Sequence, residues 1–173
     1  MEMEKKFIAV IGNRNAGKST IIVGLTGCRN QSFRGMLEDR LTREMIYVIA
    51  CSPQEKALEE EGRADLDAFR IILNQVIQEE NCRGLVMAIQ PNWPRERPSL
   101  EAIVQEVQNT NAFEPYLFVL QPDRNNSPES QQIETEINRR LRDTGIVLNA
   151  QGLDGRRFAF LNAQYINQVS QLL

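Results

Sequence analysis

The sequence predicts one α/β domain, a mostly parallel central sheet with helices on both faces, and three observations predict it. Short, unbroken apolar runs recur at residues 7–11, 45–51, 85–89, 116–120 and 158–161. Runs of that length without alternation fit strands buried on both faces, as parallel sheets require. Between them lie segments whose apolar residues repeat at three and four, the spacing of a helix with one buried side. Finally, the three middle runs each end in a polar, proline-bearing loop: Ser52-Pro53-Gln54, Gln90-Pro91-Asn92 and Gln121-Pro122-Asp123. In sheets wound this way, ligands bind beyond the carboxyl ends of the strands, so these loops are the expected walls of a site.

Taken in order, the first run is followed by a glycine-bearing octapeptide and then by Ile21, Ile22 and Leu25, which share one helical face. A second helix is expected from Leu66, Phe69, Leu73, Val76 and Ile77. A third comes from Leu100, Ile103, Val104 and Val107, with Pro98-Ser99 at its start. Ser127 reads as an N-cap with Pro128 as the first helical residue, opening a helix whose apolar face is Ile133, Ile137 and Leu141. Residues 158–161 read as the last strand, and Ile166, Val169 and Leu173 as the face of a closing helix. There is no repeat, linker or low-complexity tract, so one domain is expected over residues 1–173.

Composition excludes several classes of function. A chain of 173 residues can bury a core without staples, and 42% hydrophobic with 25% charged residues is ordinary for a globular protein. A net charge of -3 gives no strong nucleic-acid footprint. Three dispersed cysteines, Cys28, Cys51 and Cys82, form no C-x-x-C pair and suit free thiols in a reducing compartment. Histidine is absent, which removes the commonest acid/base group and zinc ligand. The apolar run at 7–11 is too short for a signal sequence or a membrane span, so a cytoplasmic protein is expected.

The chemistry is concentrated in Gly12-Asn13-Arg14-Asn15-Ala16-Gly17-Lys18-Ser19, which fits G-x-x-x-x-G-K-[ST] without mismatch. The pattern is that of a phosphate-binding loop (P-loop), and its context, strand before and helix after, is the one the motif needs. The glycines let backbone N–H groups turn inward around a phosphate, and the helix N-terminus adds positive potential. Lys18 is expected to face solvent or ligand and to reach the β and γ oxygens, with the Ser19 hydroxyl on Mg²⁺. The fold expected is therefore a single-domain P-loop NTPase.

Gly12-x-x-Asn15-x-Gly17-Lys18-Ser19-Thr20, followed by Ile21-Ile22-x-x-Leu25-x-Gly27, resembles the opening of translation-factor-type GTPases, particularly the Era- and TrmE-like ones. Arg14 stands where that family commonly has proline. The resemblance is close over residues 12–27 and covers the rest only by element order. It implies GTP or GDP as ligand ahead of ATP or ADP, with Mg²⁺, and in some members a potassium ion near Asn15. Thr42-Arg43-Glu44 resembles the family's metal-binding switch threonine. At Cys51-Ser52-Pro53-Gln54 the resemblance implies D-x-P-G, and the carboxylate and glycine are replaced. Gln121-Pro122-Asp123-Arg124 stands for N-K-x-D with the carboxylate one position early, and Asn162-Ala163-Gln164 resembles the loop whose alanine amide meets the guanine oxygen. The residues so implied are Gly12, Asn13, Arg14, Asn15, Ala16, Gly17, Lys18, Ser19 and Thr20 for the nucleotide. Asp123, Asn162 and Ala163 are implied for the base, and Ser19 and Thr42 for the metal.

Other residues carry alternatives. Arg139, Arg140 and Arg142 could form the lid of an ATP-dependent small-molecule or nucleotide kinase, or simply a solvated helix face. Trp93 could stack on a base or anchor its loop. Glu38, Asp39, Glu44 and Glu55 are the carboxylates that could replace the missing switch aspartate, Glu55 first among them. A GTPase-like nucleotide-binding protein with weak or partner-dependent hydrolysis is the expectation. The kinase, and a non-catalytic interaction module with a protein partner, are the alternatives.

Overall fold

The structure, a computed structural model, describes residues 4–58, 65–91 and 97–173. Its elements run β1 (Lys5–Ile11), α1 (Lys18–Thr26), β2 (Arg34–Glu38), β3 (Met45–Ile49), α2 (Asp65–Gln78) and β4 (Cys82–Ile89). There follow α3 (Leu100–Asn109), β5 (Phe113–Leu120), α4 (Ile133–Asp143), β6 (Ala150–Leu153) and α5 (Ala159–Ser170). They form one six-stranded sheet in the order β2-β3-β4-β1-β5-β6. Only β2 runs antiparallel, paired with β3; the other neighbours are parallel. The fold class expected from the sequence, a mostly parallel sheet between helices, is the one observed.

β1 explains the layering. Its residues alternate between two cores: Phe7, Ala9 and Ile11 pack with residues of α2, α3 and α4, while Ile8 and Val10 pack with those of α1 and α5. Both sides are fully covered, which is why the run lacks polar alternation. The strand order also fixes the crevice. From β1 the chain crosses toward β3 through α1, whereas from β4 it crosses to β5 through α3 on the opposite face. Where crossovers leave in opposite directions, the helices part at the carboxyl ends of the strands, and the loop after β1 lies there.

Two expectations are corrected. The apolar run 158–161 is not a strand: Phe158 and Phe160 are 82% and 62% exposed, and the run enters α5. The last strand is the shorter and less apolar β6, because four apolar residues are too few to separate strand from helix. One strand was not expected from the sequence, the half-buried β2, which pairs antiparallel with β3. Ser127 precedes a single 3-10 turn at Pro128–Ser130 and makes no side-chain cap; α4 starts only at Ile133. Ser99, in contrast, caps α3, its hydroxyl accepting from the Ala102 N–H at 3.0 Å. Trp93 lies outside the described residues.

Candidate functional site

The loop at residues 12–19 begins where the β1 ladder ends, the Gly12 N–H still donating to the Ile89 carbonyl at 3.1 Å. A side chain on Gly12 would bring its Cβ within 2.8 Å of the Ala16 Cβ, so the first turn closes only around glycine. Asn15 and Gly17 then take positive φ, 63° and 106°, and Gly17 is the N-cap of α1. These left-handed steps are what turn successive amides to one side, and Gly17 supplies one at no steric cost.

Lys18 is the first residue of α1, only 3% exposed and part of the cleft lining, so of the two surroundings expected for it, solvent or ligand, bulk solvent is the one it lacks. Its Nζ donates to the Asn13 carbonyl at 2.7 Å and lies 4.0 Å from the Glu55 carboxylate. Burial pulls the amine below an ordinary lysine's pKa, Glu55 opposing the shift and Arg124 adding to it. The Ser19 hydroxyl donates to the Ala50 carbonyl at 2.7 Å, which ties α1 to the end of β3. Thr20 accepts from the Gln31 amide at 3.3 Å.

A cleft of about 300 Å³ opens over this loop, lined by Asn15 through Thr20, Gln31, Ser32, Cys51, Glu55 and Arg124. That volume lies at the small end of ligand sites and suits a phosphate tail. Arg14 stands exposed, outside the lining. On the far wall Glu55 accepts from the Ser52 hydroxyl at 3.2 Å. Burial, followed by Glu55, raises the Cys51 thiol above its ordinary pKa, so it stands neutral and offers no hard oxygen. Gln54 replaces the expected glycine with a buried rivet. Its side-chain oxygen accepts from the Gln90 N–H at 3.0 Å, and its amide donates to the Pro98 carbonyl at 2.7 Å. Arg34 of β2 holds the same segment by donating to the carbonyls of Cys51, Ser52, Lys56 and Ala57.

The other implied residues are not brought to the cleft as expected. Thr42 lies in the β2–β3 turn, its N–H donating to the Asp39 carboxylate at 3.1 Å. That turn precedes β3 and so sits at the amino ends of the parallel strands, the opposite end of the sheet from Ser19. Asp123 is 5% exposed and spends its carboxylate internally, accepting from the Ser127 N–H at 2.9 Å, the Ser127 hydroxyl at 2.7 Å and the Asn125 N–H at 3.1 Å. Burial alone would raise its pKa; these hydrogen bonds outweigh it and hold the carboxyl below the usual range. Three of the carboxylate's roughly four acceptor sites are thus taken within its own loop. Asn162 and Ala163 lie inside α5, not in a loop. Asn162 donates to the Asp154 carbonyl at 2.9 Å, and Ala163 packs on Gly24, where an added Cβ would meet its methyl at 3.4 Å. The loop that approaches Pro122 is instead 154–157, through the Gly155 N–H at 2.8 Å.

Two of the three candidate lid arginines are engaged as well. Arg139 pairs with Glu136 and Asp143, and Arg140 pairs with Glu101 and donates to the Pro91 carbonyl. Among the described residues no cluster of three or more His, Cys, Asp or Glu could hold a metal by itself. The donor set that does line the cleft, the Ser19 hydroxyl and the Glu55 carboxylate, fits Mg²⁺, which takes one or two protein oxygens and completes its shell from phosphates and water. Two residues escaped sequence reasoning, Arg34 and Arg124. Arg124 carried a usable signal, since it directly follows a loop at the carboxyl end of a strand. Arg34 carried none.

No family model and no curated protein matches the chain. Among solved structures, the FeoB G-domain from Methanococcus jannaschii is 16% identical over 97% of this chain and 98% of that one, with a TM-score of 0.43. A protein designated APE1195 is 10% identical over 100% of this chain and 99% of that one, with a TM-score of 0.47. At such values what the chain does is read from its own residues.

Proposed function

We propose that the chain is a GTPase-like nucleotide-binding protein that captures the phosphate tail of a nucleoside di- or triphosphate in the loop at 12–19 and hydrolyses it slowly by itself. The observation that carries this reading is the loop's geometry: two left-handed steps, then Lys18 buried at the start of α1 beneath a cleft of phosphate size. A lysine amine is not buried on a single carbonyl and a carboxylate at 4.0 Å without cost, and a bound phosphate would offset it. Mg²⁺ would be held by Ser19 and Glu55, and would neutralise charge on the phosphate oxygens. Guanine preference rests on the Asn15-type loop alone, since Asp123, Asn162 and Ala163 have other duties. Arg139 and Arg140 of α4 pair with carboxylates, which weighs against their forming the lid of the kinase alternative. A cytoplasmic setting, and a protein partner that completes the hydrolytic site, belong to the same reading.

The test is a thermal-shift panel of GTP, GDP, ATP and ADP, with and without Mg²⁺, in potassium and in sodium salt. A ligand at a hundred times its dissociation constant adds about 2.7 kcal/mol of stability. In a chain of this size that is a rise of roughly 5–10 °C. No shift with any nucleotide would leave the fold as an interaction module, and ATP ranked at or above GTP would remove the guanine assignment. Unaided hydrolysis is expected at or below about 10⁻⁴ per second, the rate of unassisted small GTPases.

A further inference from the structure

One cation in the cleft has no role in the reading above. Arg124 is tied to the loop by two hydrogen bonds and lies against Gly17. Its backbone N–H donates to the Ala16 carbonyl at 3.2 Å, its Nε donates to the Asn15 carbonyl at 2.9 Å, and its Cδ stands 3.4 Å from where a Cβ on Gly17 would be. Asn125 reinforces the same anchor, its amide reaching the Asn15 carbonyl at 3.1 Å. The side chain therefore lies along the stretch whose amides turn inward, across the cleft from Cys51 and Glu55.

Several arginines of this protein are neutralised by carboxylates. Arg70 pairs with Asp67 and Glu106, Arg97 with Asp65, Arg140 with Glu101 and Arg156 with Asp154. Arg34 spends its donors on carbonyls. Arg124 has its Nε bond and meets no carboxylate among the described residues, and it lies close enough to Lys18 to disfavour that amine's charge. Two cations converging on one cleft, the arginine without an acid of its own, form an arrangement that an anion between them would relieve. An arginine fixed at Nε by a carbonyl still presents its two terminal amino groups, a fork that matches phosphate oxygens.

Building on the phosphate-loop reading, we propose that Arg124 is a second cationic ligand of the phosphate tail. It addresses the β and γ oxygens that Lys18 also reaches, and makes the site select triphosphate over diphosphate. The selectivity follows from charge: a γ-phosphate brings further negative oxygens to a place where two fixed cations meet, and a diphosphate satisfies Lys18 first.

The experiment measures calorimetric affinities for GTPγS and GDP, and for ATPγS and ADP, in wild type, Arg124→Ala, Arg124→Lys and Lys18→Ala. The backbone tie to Ala16 survives every substitution at Arg124, so the brace on the loop is retained. Arg124→Ala is expected to weaken the triphosphate analogue about tenfold or more, the scale of a charged hydrogen bond, and to leave the diphosphate within about threefold. Arg124→Lys is expected to recover only part of the loss, since an ammonium cannot hold the Asn15 carbonyl and a phosphate fork together. Equal weakening of both ligands, or no weakening, overturns the proposal and leaves Arg124 as a brace. Wild type that binds none of the four nucleotides, or Lys18→Ala that binds as wild type does, overturns the phosphate-loop reading itself and this proposal with it.

Discussion

The loop at 12–19 and the segment at 51–56 face each other across one cleft, and they are held in different ways. The loop is shaped by its own backbone: the tight turn at Gly12, the left-handed Asn15 and Gly17, and the start of α1. The facing segment has no such internal logic. It stays in place because Arg34 gathers its carbonyls from the edge strand β2 and Gln54 is bonded to Gln90 and Pro98. Shape that comes from local sequence is robust and readable; shape that comes from distant side chains can be altered by one substitution far from the cleft.

The largest expected effect breaks the loop's side of this comparison. Lys18→Ala is expected to reduce triphosphate affinity by at least about a hundredfold, the loss of a charge-assisted contact in a buried place. Stability moves the other way. Lys18 holds its proton less readily folded than unfolded, so the unfolded chain binds more protons between the lowered folded pKa and the ordinary 10.5. Stability from this group therefore rises with pH through that window, and at neutral pH the charged amine is a liability. Lys18→Met is expected to raise the melting temperature of the ligand-free protein at pH 7 and to abolish the alkaline gain. Urea melts of both proteins between pH 7 and pH 10 check this, and a less stable Lys18→Met variant would contradict it.

The facing segment is tested next. Arg34→Met keeps the apolar stem but removes every donor to the carbonyls of Cys51, Ser52, Lys56 and Ala57. Stability is expected to fall by about 1–3 kcal/mol, the cost of leaving buried acceptors unmade. Mg²⁺-dependent binding is expected to weaken, because Glu55 loses its support, while Mg²⁺-independent diphosphate binding holds. If both fall together, the two walls are not separable.

The smallest effect sharpens the comparison at a single atom. Cys51→Asp places a hard oxygen in the cleft where the neutral thiol now stands. It is expected to tighten Mg²⁺–triphosphate binding a few-fold or to raise single-turnover hydrolysis by a similar factor. A variant that only loses affinity would show that Glu55 already satisfies the metal.

How much was legible follows the same division. β1, its loop and α1 could be read directly, since an apolar run, a glycine pattern and a helical face are local signals. β2 could not: Arg34-Gly35-Met36-Leu37-Glu38 is a half-buried edge strand with no alternation to mark it. Residues 158–161 misled because a four-residue apolar run has the same appearance at the exposed head of a helix as in a strand. Carrying the alanine-loop resemblance to Asn162 and Ala163 then put two α5 residues at the base. Asp123 lies in the loop after β5, but nothing in its neighbours' identities told that Ser127 and Asn125 would occupy its oxygens.

Gln54 has a further consequence for kinetics. With its amide group bonded to both Gln90 and Pro98, the segment beside Glu55 swings like a hinged lid only by extracting a buried polar group and losing two hydrogen bonds, at about 0.5–1.5 kcal/mol each. The ligand therefore meets a cleft whose walls are already assembled, and what rearranges on binding is the scale of single side chains, Lys18, Glu55 and Arg124. Little chain entropy is lost on capture, so association should be fast, single-phase and limited by encounter, and its heat-capacity change should be that of a phosphate tail alone rather than of an ordering loop.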